Sequence, residues 1–434
     1  MTIRDRVAGA KTASIPMGST TGEIKNLGLE RIAHALKQHE AKIRAANAED
    51  LERSEKENLP APLLKRLKFD SSKMAEVCSG LESLITLPDP VGVILSAREL
   101  DSGLHLYQVT CPIGVIGVIF ESRPDALVQI SALCLKSGNS VLLKGGSEAK
   151  ETNKVLADII ASASIAVGLP AGWVQLLEGR DEVKEILTMD DAIDLLIPRG
   201  SNRFVQYIMD NTSIPVLGHA EGICHIYIDK EADLDMGIKV TVDAKTQYAA
   251  VCNAVETLLV HKDIAPVFLP KAAEVLKAEG VELRGCDKTC AVIKATKADE
   301  SDWRTEYLDY ILSIKVVNSL DEAILHINTY GSGHTDSIVT ANRDNAERFM
   351  NLVDSANVFW NCSTRFSDGF RYGLGAEVGI STSKIHARGP VGLEGLVIYK
   401  WKLKGSGQIV ADYTGEKARP FTHKPLPKEF ILNI

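Results

Sequence analysis

The segment spanning residues 113–144 limits the fold of this chain more than any other. The run Ile113-Gly114-Val115-Ile116-Gly117-Val118-Ile119-Phe120 is apolar without alternation, so a strand there must be covered on both faces. Pro124-Asp125 then opens a helix that Gly138 can end, and Val141-Leu142-Leu143 supplies a second short apolar run. Buried strand, helix and buried strand make a parallel crossover unit, which needs a sheet shielded by helices. The alternation continues with a helix over 150–166, the turn Gly168-Leu169-Pro170-Ala171-Gly172, strands over 174–177 and 193–197, and a last short strand over 226–228. A helix over 233–244 opens a second round, with strands at 257–260, 311–317, 336–339 and 358–360 and helices at 265–276 and 320–327. The spacing predicts two doubly wound α/β domains.

Other segments stand outside that alternation. Apolar positions recur at helical spacing over 24–56, which predicts an amphipathic packing helix. Runs at 93–95 and 105–109, joined by Asp101-Ser102-Gly103, predict a hairpin, and the tail after Tyr399 reads as strand and extended arm. The expected division is a domain over 1–235 with the hairpin 91–111 inserted, a domain over 236–398, and an arm over 399–434.

Composition narrows the function. A chain of 434 residues, 45% apolar and 24% charged, is too long for a single binding module and can bury a large core. Its net charge of −8 supplies no cationic surface in bulk, which argues against nucleic acid or an anionic membrane as main partner. The longest apolar runs fall far short of the roughly 20 residues of a membrane span, and residues 1–10 mix charges without an apolar signal core, so a cytoplasmic protein is expected. Eight cysteines scattered along a long chain do not make a disulfide framework. Cys286 and Cys290 form a C-x3-C pair with no second pair at zinc-ligand spacing, so no metal site is expected.

The chain has neither G-x-G-x-x-G after an early strand nor a P-loop. Lys144-Gly145-Gly146-Ser147-Glu148 stands after a buried strand and before a helix; a lysine and a serine there suit a phosphate or ribose, or form a plain solvated turn. Arg199-Gly200-Ser201-Asn202 repeats the arrangement. Cys252, in Ala249-Ala250-Val251-Cys252-Asn253-Ala254, is a nucleophile with small neighbours or an inert core thiol. Arg123, in Glu121-Ser122-Arg123-Pro124, is a helix-entry residue or an anion ligand. The loop 361–369, dense in hydrogen-bonding side chains, has the character of a substrate loop.

Taken together, six phrases resemble the aldehyde dehydrogenase superfamily, and within it the phosphorylating branch that reduces γ-glutamyl phosphate. They are Gly117-Val118-Ile119-Phe120-Glu121-Ser122-Arg123-Pro124, Leu142-Leu143-Lys144-Gly145-Gly146, Ile197-Pro198-Arg199-Gly200-Ser201, Val216-Leu217-Gly218-His219-Ala220-Glu221-Gly222-Ile223-Cys224-His225, Cys252-Asn253-Ala254-Val255-Glu256-Thr257, and Gly373-Leu374-Gly375-Ala376-Glu377-Val378-Gly379-Ile380-Ser381. The resemblance implies an NADP-binding domain over 1–235, a catalytic domain over 236–398 and an oligomerisation arm over 399–434. It implies Cys252 as nucleophile, with Asn253 and Ser122 as the other catalytic positions; Ser122 stands where the superfamily's oxyanion-hole asparagine is usual. By the same resemblance Lys144 and Ser147 hold the adenosine ribose and 2′-phosphate of NADPH, Gly200 and Ser201 face the pyrophosphate, and Glu306 holds the nicotinamide ribose, although Asp309 and Tyr310 replace the glycine and proline usual after it.

The implied reaction is reduction of L-glutamyl 5-phosphate to glutamate 5-semialdehyde through a Cys252 thioester, a step of proline biosynthesis. Leu217-Gly218-His219-Ala220-Glu221 replaces the Glu-Leu-Gly-Gly-Lys phrase of oxidising members, so their water-activating base is missing or displaced, as suits a reductase. The substrate carries both signs of charge: Arg123 and Arg365 are the candidates for its anionic groups, Glu121 and Asp368 for its ammonium. A homo-oligomer is expected, most simply a dimer, supplied with glutamyl phosphate by a separate glutamate kinase, with a contact between the two left open. The competing readings are an oxidising NAD(P)-dependent aldehyde dehydrogenase using Glu221 as base, and a non-catalytic scaffold, against which Cys252 and both nucleotide turns argue.

Overall fold

The computed structural model describes residues 2–121, 123–179, 182–219 and 221–429, except the side chain of Pro62. Five helices lead the chain: Ile3–Met17, Gly22–Gln38, Glu40–Lys56, Ala61–Leu67 and Ser71–Thr86. The single helix expected over 24–56 is two, broken at His39, whose φ of −100° and ψ of 16° leave the helical region. The two halves bury different faces. Gly22–Gln38 buries Leu29, Ile32, Ala33 and Leu36, whereas Glu40–Lys56 buries Asn47 and Asp50 beside Ile43. Asp50 accepts from the backbone N–H groups of Glu151 and Thr152 at 3.2 and 2.8 Å, and so caps the helix Lys150–Ile165 from another part of the chain.

Strands β1 (Ile94–Asp101) and β2 (Leu104–Pro112) form the expected hairpin, turning at Gly103, whose φ is +72°. Strands β3 (Val115–Phe120), β4 (Ser140–Lys144), β5 (Val174–Leu177) and β6 (Leu195–Arg199) make a parallel sheet in the order β5-β4-β3-β6. Every residue of β3 and β4 is buried, as their unbroken apolar runs require. The helix Pro124–Lys136 joins them and ends at Gly138, which takes a φ of +74° that a side chain would resist.

The second sheet contains β7 (Cys224–Ile228), β8 (Val255–His261), β9 (Glu282–Gly285), β10 (Thr296–Lys297), β11 (Ile311–Val317), β12 (Thr335–Val339) and β13 (Asn357–Trp360). It is parallel, in the order β10-β9-β11-β8-β7-β12-β13. Ile226 and Ile228 pack on one face with the helices Leu234–Thr246 and Ala265–Ala278, whereas Tyr227 and Leu259 pack on the other with Leu320–Tyr330 and Arg343–Leu352. This sheet is doubly wound. Strands β14 (Gly379–Ser381) and β15 (Gly389–Val391) form a small antiparallel pair.

One expectation is corrected here. The alternation of the sequence places the strand over 226–228 in the first sheet, but it lies between β8 and β12 in the second. By internal contacts the chain divides into one unit of 1–200, 208–216 and 392–434 and another of 201–207 and 217–391. Periodicity marks a buried strand but not its neighbours, which long-range pairing chooses. The arm also returns to its own unit: β16 (Val397–Lys404) pairs antiparallel with β2, and β17 (Lys424–Pro425) with β1, giving the order β16-β2-β1-β17. Tyr399, Trp401 and Leu403 of β16 remain exposed. No helix among the described residues is long and apolar enough to cross a membrane.

Candidate active site

Cys252 sits in the turn that feeds β8, closed by the Ala254 N–H donating to the Val251 carbonyl at 3.1 Å. Its thiol is half-buried. The turn backs onto Gly222 so closely that a Cβ there would stand 2.2 Å from the Cys252 carbonyl oxygen and 2.5 Å from its Cα. Only glycine fits such an approach. Cys224, at the head of β7, donates its thiol to the same carbonyl at 3.2 Å. The Gly222 N–H also serves the carboxylate of Glu306, which accepts from Asn202 Nδ2. Burial pushes the Glu306 carboxyl up, and these two hydrogen bonds oppose the shift.

Glu256, four residues after Cys252, pairs with Lys245 at 2.6 Å, both side chains fully buried. Burial drives Glu256 up to about 7 and Lys245 down, so desolvation outweighs their attraction. Glu256 also accepts from the backbone N–H of Leu308 at 3.3 Å, and Leu308 occupies the left-handed region at φ +53°. The pair thereby pins the segment carrying Glu306.

Two histidines complete the surroundings of the sulfur, and neither is among the residues the sequence assigns to the site. Ligand atoms of His219, Cys252 and His334 lie within 4.8 Å of one another. The histidine rings meet edge to face, 5.0 Å apart at 74°. His219 Nδ1 lies 2.9 Å from the Ile380 carbonyl oxygen, which can only accept, so that nitrogen carries the proton. Burial, with the charge of His219 as a lesser cause, holds His334 well below the ordinary imidazole range. His219 is legible in the sequence only as an odd residue in the Leu217–Glu221 phrase, and His334 gives no local signal. Glu221 is exposed, and its charge bears on Glu306.

The loop after β13 meets the same turn. Asn253 Nδ2 donates to the Ser367 carbonyl at 2.7 Å, and the Asn253 carbonyl accepts from Thr364 Oγ1 at 2.7 Å. The Asn253 amide is thus engaged in holding the loop. Arg365 is 8% exposed, its Nε donating to Gln247 Oε1 at 3.0 Å; burial lowers the guanidinium, with the Arg371 charge second, while the Cys252 charge works the other way. Asp368 Oδ1 accepts from the backbone of Phe370 and Arg371 at 3.0 and 3.1 Å, so much of this carboxylate is used by its own turn. The site gathers at the amino ends of β7, β8 and β12, whereas the usual position in open α/β sheets is the carboxyl end.

In the other unit, Lys144 ends β4, 7% exposed, its Nζ donating to the Gly145 carbonyl at 2.7 Å. Ser147 is exposed, and its carbonyl accepts from Arg53 Nη2 at 3.0 Å. The amides of Glu151 and Thr152, at the start of the helix Lys150–Ile165, are taken by Asp50. Gly200 is exposed after β6. Glu121 and Arg123 are exposed between β3 and the helix Pro124–Lys136; Ser122 lies outside the described residues. Ser201 is exposed ahead of the helix Asn202–Asp210, its carbonyl accepting from the N–H groups of Phe204 and Val205.

The model of the aldehyde dehydrogenase family matches residues 2–282 and 280–376. The chain belongs to that family. Gamma-glutamyl phosphate reductase of Pelotomaculum thermopropionicum is 65% identical over 430 residues, 99% of each chain. The crystal structure of gamma-glutamyl phosphate reductase from Thermotoga maritima superposes with a TM-score of 0.92 at 40% identity, covering 94% of this chain and 99% of that one. An engineered glycolyl-CoA reductase with bound NADP+, 14% identical with a TM-score of 0.61 over 93% of this chain and 96% of its own, shares the fold. Within the family, this chain stands among relatives named gamma-glutamyl phosphate reductase.

Proposed function

We propose that the protein reduces L-glutamyl 5-phosphate to glutamate 5-semialdehyde and phosphate, with NADPH as reductant and Cys252 as nucleophile, in proline biosynthesis. The observation that carries this reading is the seating of Cys252 on Gly222, which brings together two of the six phrases that carry the family resemblance. The names of the full-length relatives supply the substrate. The Cys252 sulfur attacks the γ-carbonyl, the C–S bond forms as the C–O bond to phosphate breaks, and a thioester is left. Arg365 stands near enough for its charge to bear on Cys252, and so suits an anionic group of the substrate. Arg123 is the second candidate; Glu121 and the partly engaged Asp368 are those for the ammonium.

The first unit suits the coenzyme at the end of β4. Lys144 closes β4, and Ser147 is exposed three residues on. Because Asp50 occupies the helix amides, discrimination of a 2′-phosphate falls to Lys144 and Ser147. Gly200 and Ser201 would serve the pyrophosphate, and Glu306, fixed by Asn202 and Gly222, the nicotinamide ribose. When bound, the coenzyme supplies the hydride that reduces the acyl group. The described thiols include no disulfide, which suits a cytoplasmic setting. The exposed apolar side chains of β16 favour a homo-oligomer, and a separate glutamate kinase would deliver the labile substrate.

The decisive experiment runs the reaction backwards with pyrroline-5-carboxylate, NADP and phosphate. NADPH should form only with phosphate, or with arsenate in its place, and stop after at most one equivalent per site without either. Steady turnover in phosphate-free buffer would overturn the reading in favour of a hydrolysing aldehyde dehydrogenase, with Glu221 the first residue to test as base.

A further inference from the structure

We propose that His219, Cys252 and His334 form a binding site for a soft divalent cation, Zn2+ foremost, whose occupation silences the enzyme. The three donors stand at the amino ends of three neighbouring strands, before or beside β7, β8 and β12, which lie in the order β8-β7-β12. They come from distant parts of the chain, yet their ligand atoms lie within 4.8 Å of one another. Tetrahedral zinc, with bonds of about 2.0 Å to nitrogen and 2.3 Å to sulfur, needs these donors roughly 3.3–3.5 Å apart. Closing that gap takes about an ångström, a small rotation of side chains whose backbone is already held.

Both imidazoles show the outer support typical of metal ligands, in which a protein oxygen holds one ring nitrogen and fixes the orientation of the other. His219 Nδ1 donates to the Ile380 carbonyl at 2.9 Å, which puts the lone pair of the neutral ring on Nε2. His334 Nδ1 lies 2.8 Å from Thr335 Oγ1. His334 Nε2, on a side chain with no exposed surface, has no hydrogen-bond partner among the described residues. A buried nitrogen left in that state costs free energy, and coordination would recover it. A thiolate and two imidazoles select zinc over magnesium or calcium, which prefer oxygen. On binding, the Cys252 S–H bond breaks, a Zn–S bond forms, and the proton leaves to solvent. Three protein ligands leave a fourth position for water.

The silencing rests on Cys252 being the nucleophile; the binding does not, and two measurements separate them. Co2+ added to the full-length protein should produce a thiolate-to-cobalt charge-transfer absorption that saturates at one ion per chain. The band should vanish in Cys252→Ala and in alkylated wild type, and survive Cys286→Ser and Cys290→Ser. Loss of one ligand should weaken binding at least about tenfold, the lower end for outer-shell partners alone. His334→Asn tests this, with His219→Gln as the substitute where the buried change prevents folding. Zn2+ should inhibit competitively with the acyl substrate and be reversed by EDTA. Absence of the band, or its persistence in Cys252→Ala, overturns the site. A Cys252-dependent band in a fully active enzyme overturns the silencing and the nucleophile assignment together.

Discussion

Replacing Gly222 by alanine tests whether the joint beneath Cys252 controls catalysis. The added methyl carbon would stand 2.2 Å from the Cys252 carbonyl oxygen, against a limit near 3.0 Å, and 2.5 Å from its Cα. The obstacle is backbone, so it cannot swing away as a side chain would. Relief requires the 252 turn to retreat by about 0.8 Å, and a misplacement of about 1 Å at a reacting atom can cost on the order of 10²-fold in rate. Overpacking of this kind costs about 1–3 kcal/mol in stability, which a chain of this size can survive. Gly222→Ala should therefore remain folded, with a melting temperature lowered by several degrees at most, while kcat in the phosphate-dependent assay falls at least about 30-fold. The Michaelis constant for NADP should move much less. A variant with kcat within threefold of wild type would refute the argument, since the turn would then have moved without consequence for the sulfur.

The other expectations follow from the same geometry. Cys252→Ala and Cys252→Ser should each lose more than about 10³-fold in turnover while still binding NADPH by fluorescence titration; retention of a tenth of the activity would remove Cys252 as nucleophile. Lys144→Ala should raise the Michaelis constant for NADPH about 10- to 100-fold, as befits the loss of a charge-assisted hydrogen bond, and leave that for NADH within threefold; equal effects would show that Lys144 does not read the 2′-phosphate. Lys245→Met should destabilise by about 3–5 kcal/mol because it strands Glu256 in the interior, and adding Glu256→Leu should recover most of the loss. Urea titrations of the single and double variants measure this, and a double variant no better than the single would mean that the ion pair has little to do with the cost.

Local chemistry was enough to read most of the strands and the residues that interrupt them, but not the short pieces at 282–285, 296–297, 379–381 and 389–391. The unbroken apolar run over 115–120 had to be a buried strand because no face of it is polar, and Gly138 could end a helix because a glycine adopts at no steric cost the positive φ found there. The hairpin turn at 101–103 and the short strands over 311–317 and 174–177 were legible for the same reason: side-chain period and turn chemistry are properties of adjacent residues. Cys252 stood out only through the phrase around it. Tertiary structure decided the rest. It assigned β7 to the second sheet, returned the arm to β1 and β2, and filled the helix amides near Ser147 with Asp50, a hundred residues away in the chain. It also surrounded one sulfur with His219, His334 and Arg365, none of them near Cys252 in sequence. Period and propensity act over a few residues, whereas each of these placements follows from which strands pair and in what order, a choice settled by burial across the whole sheet.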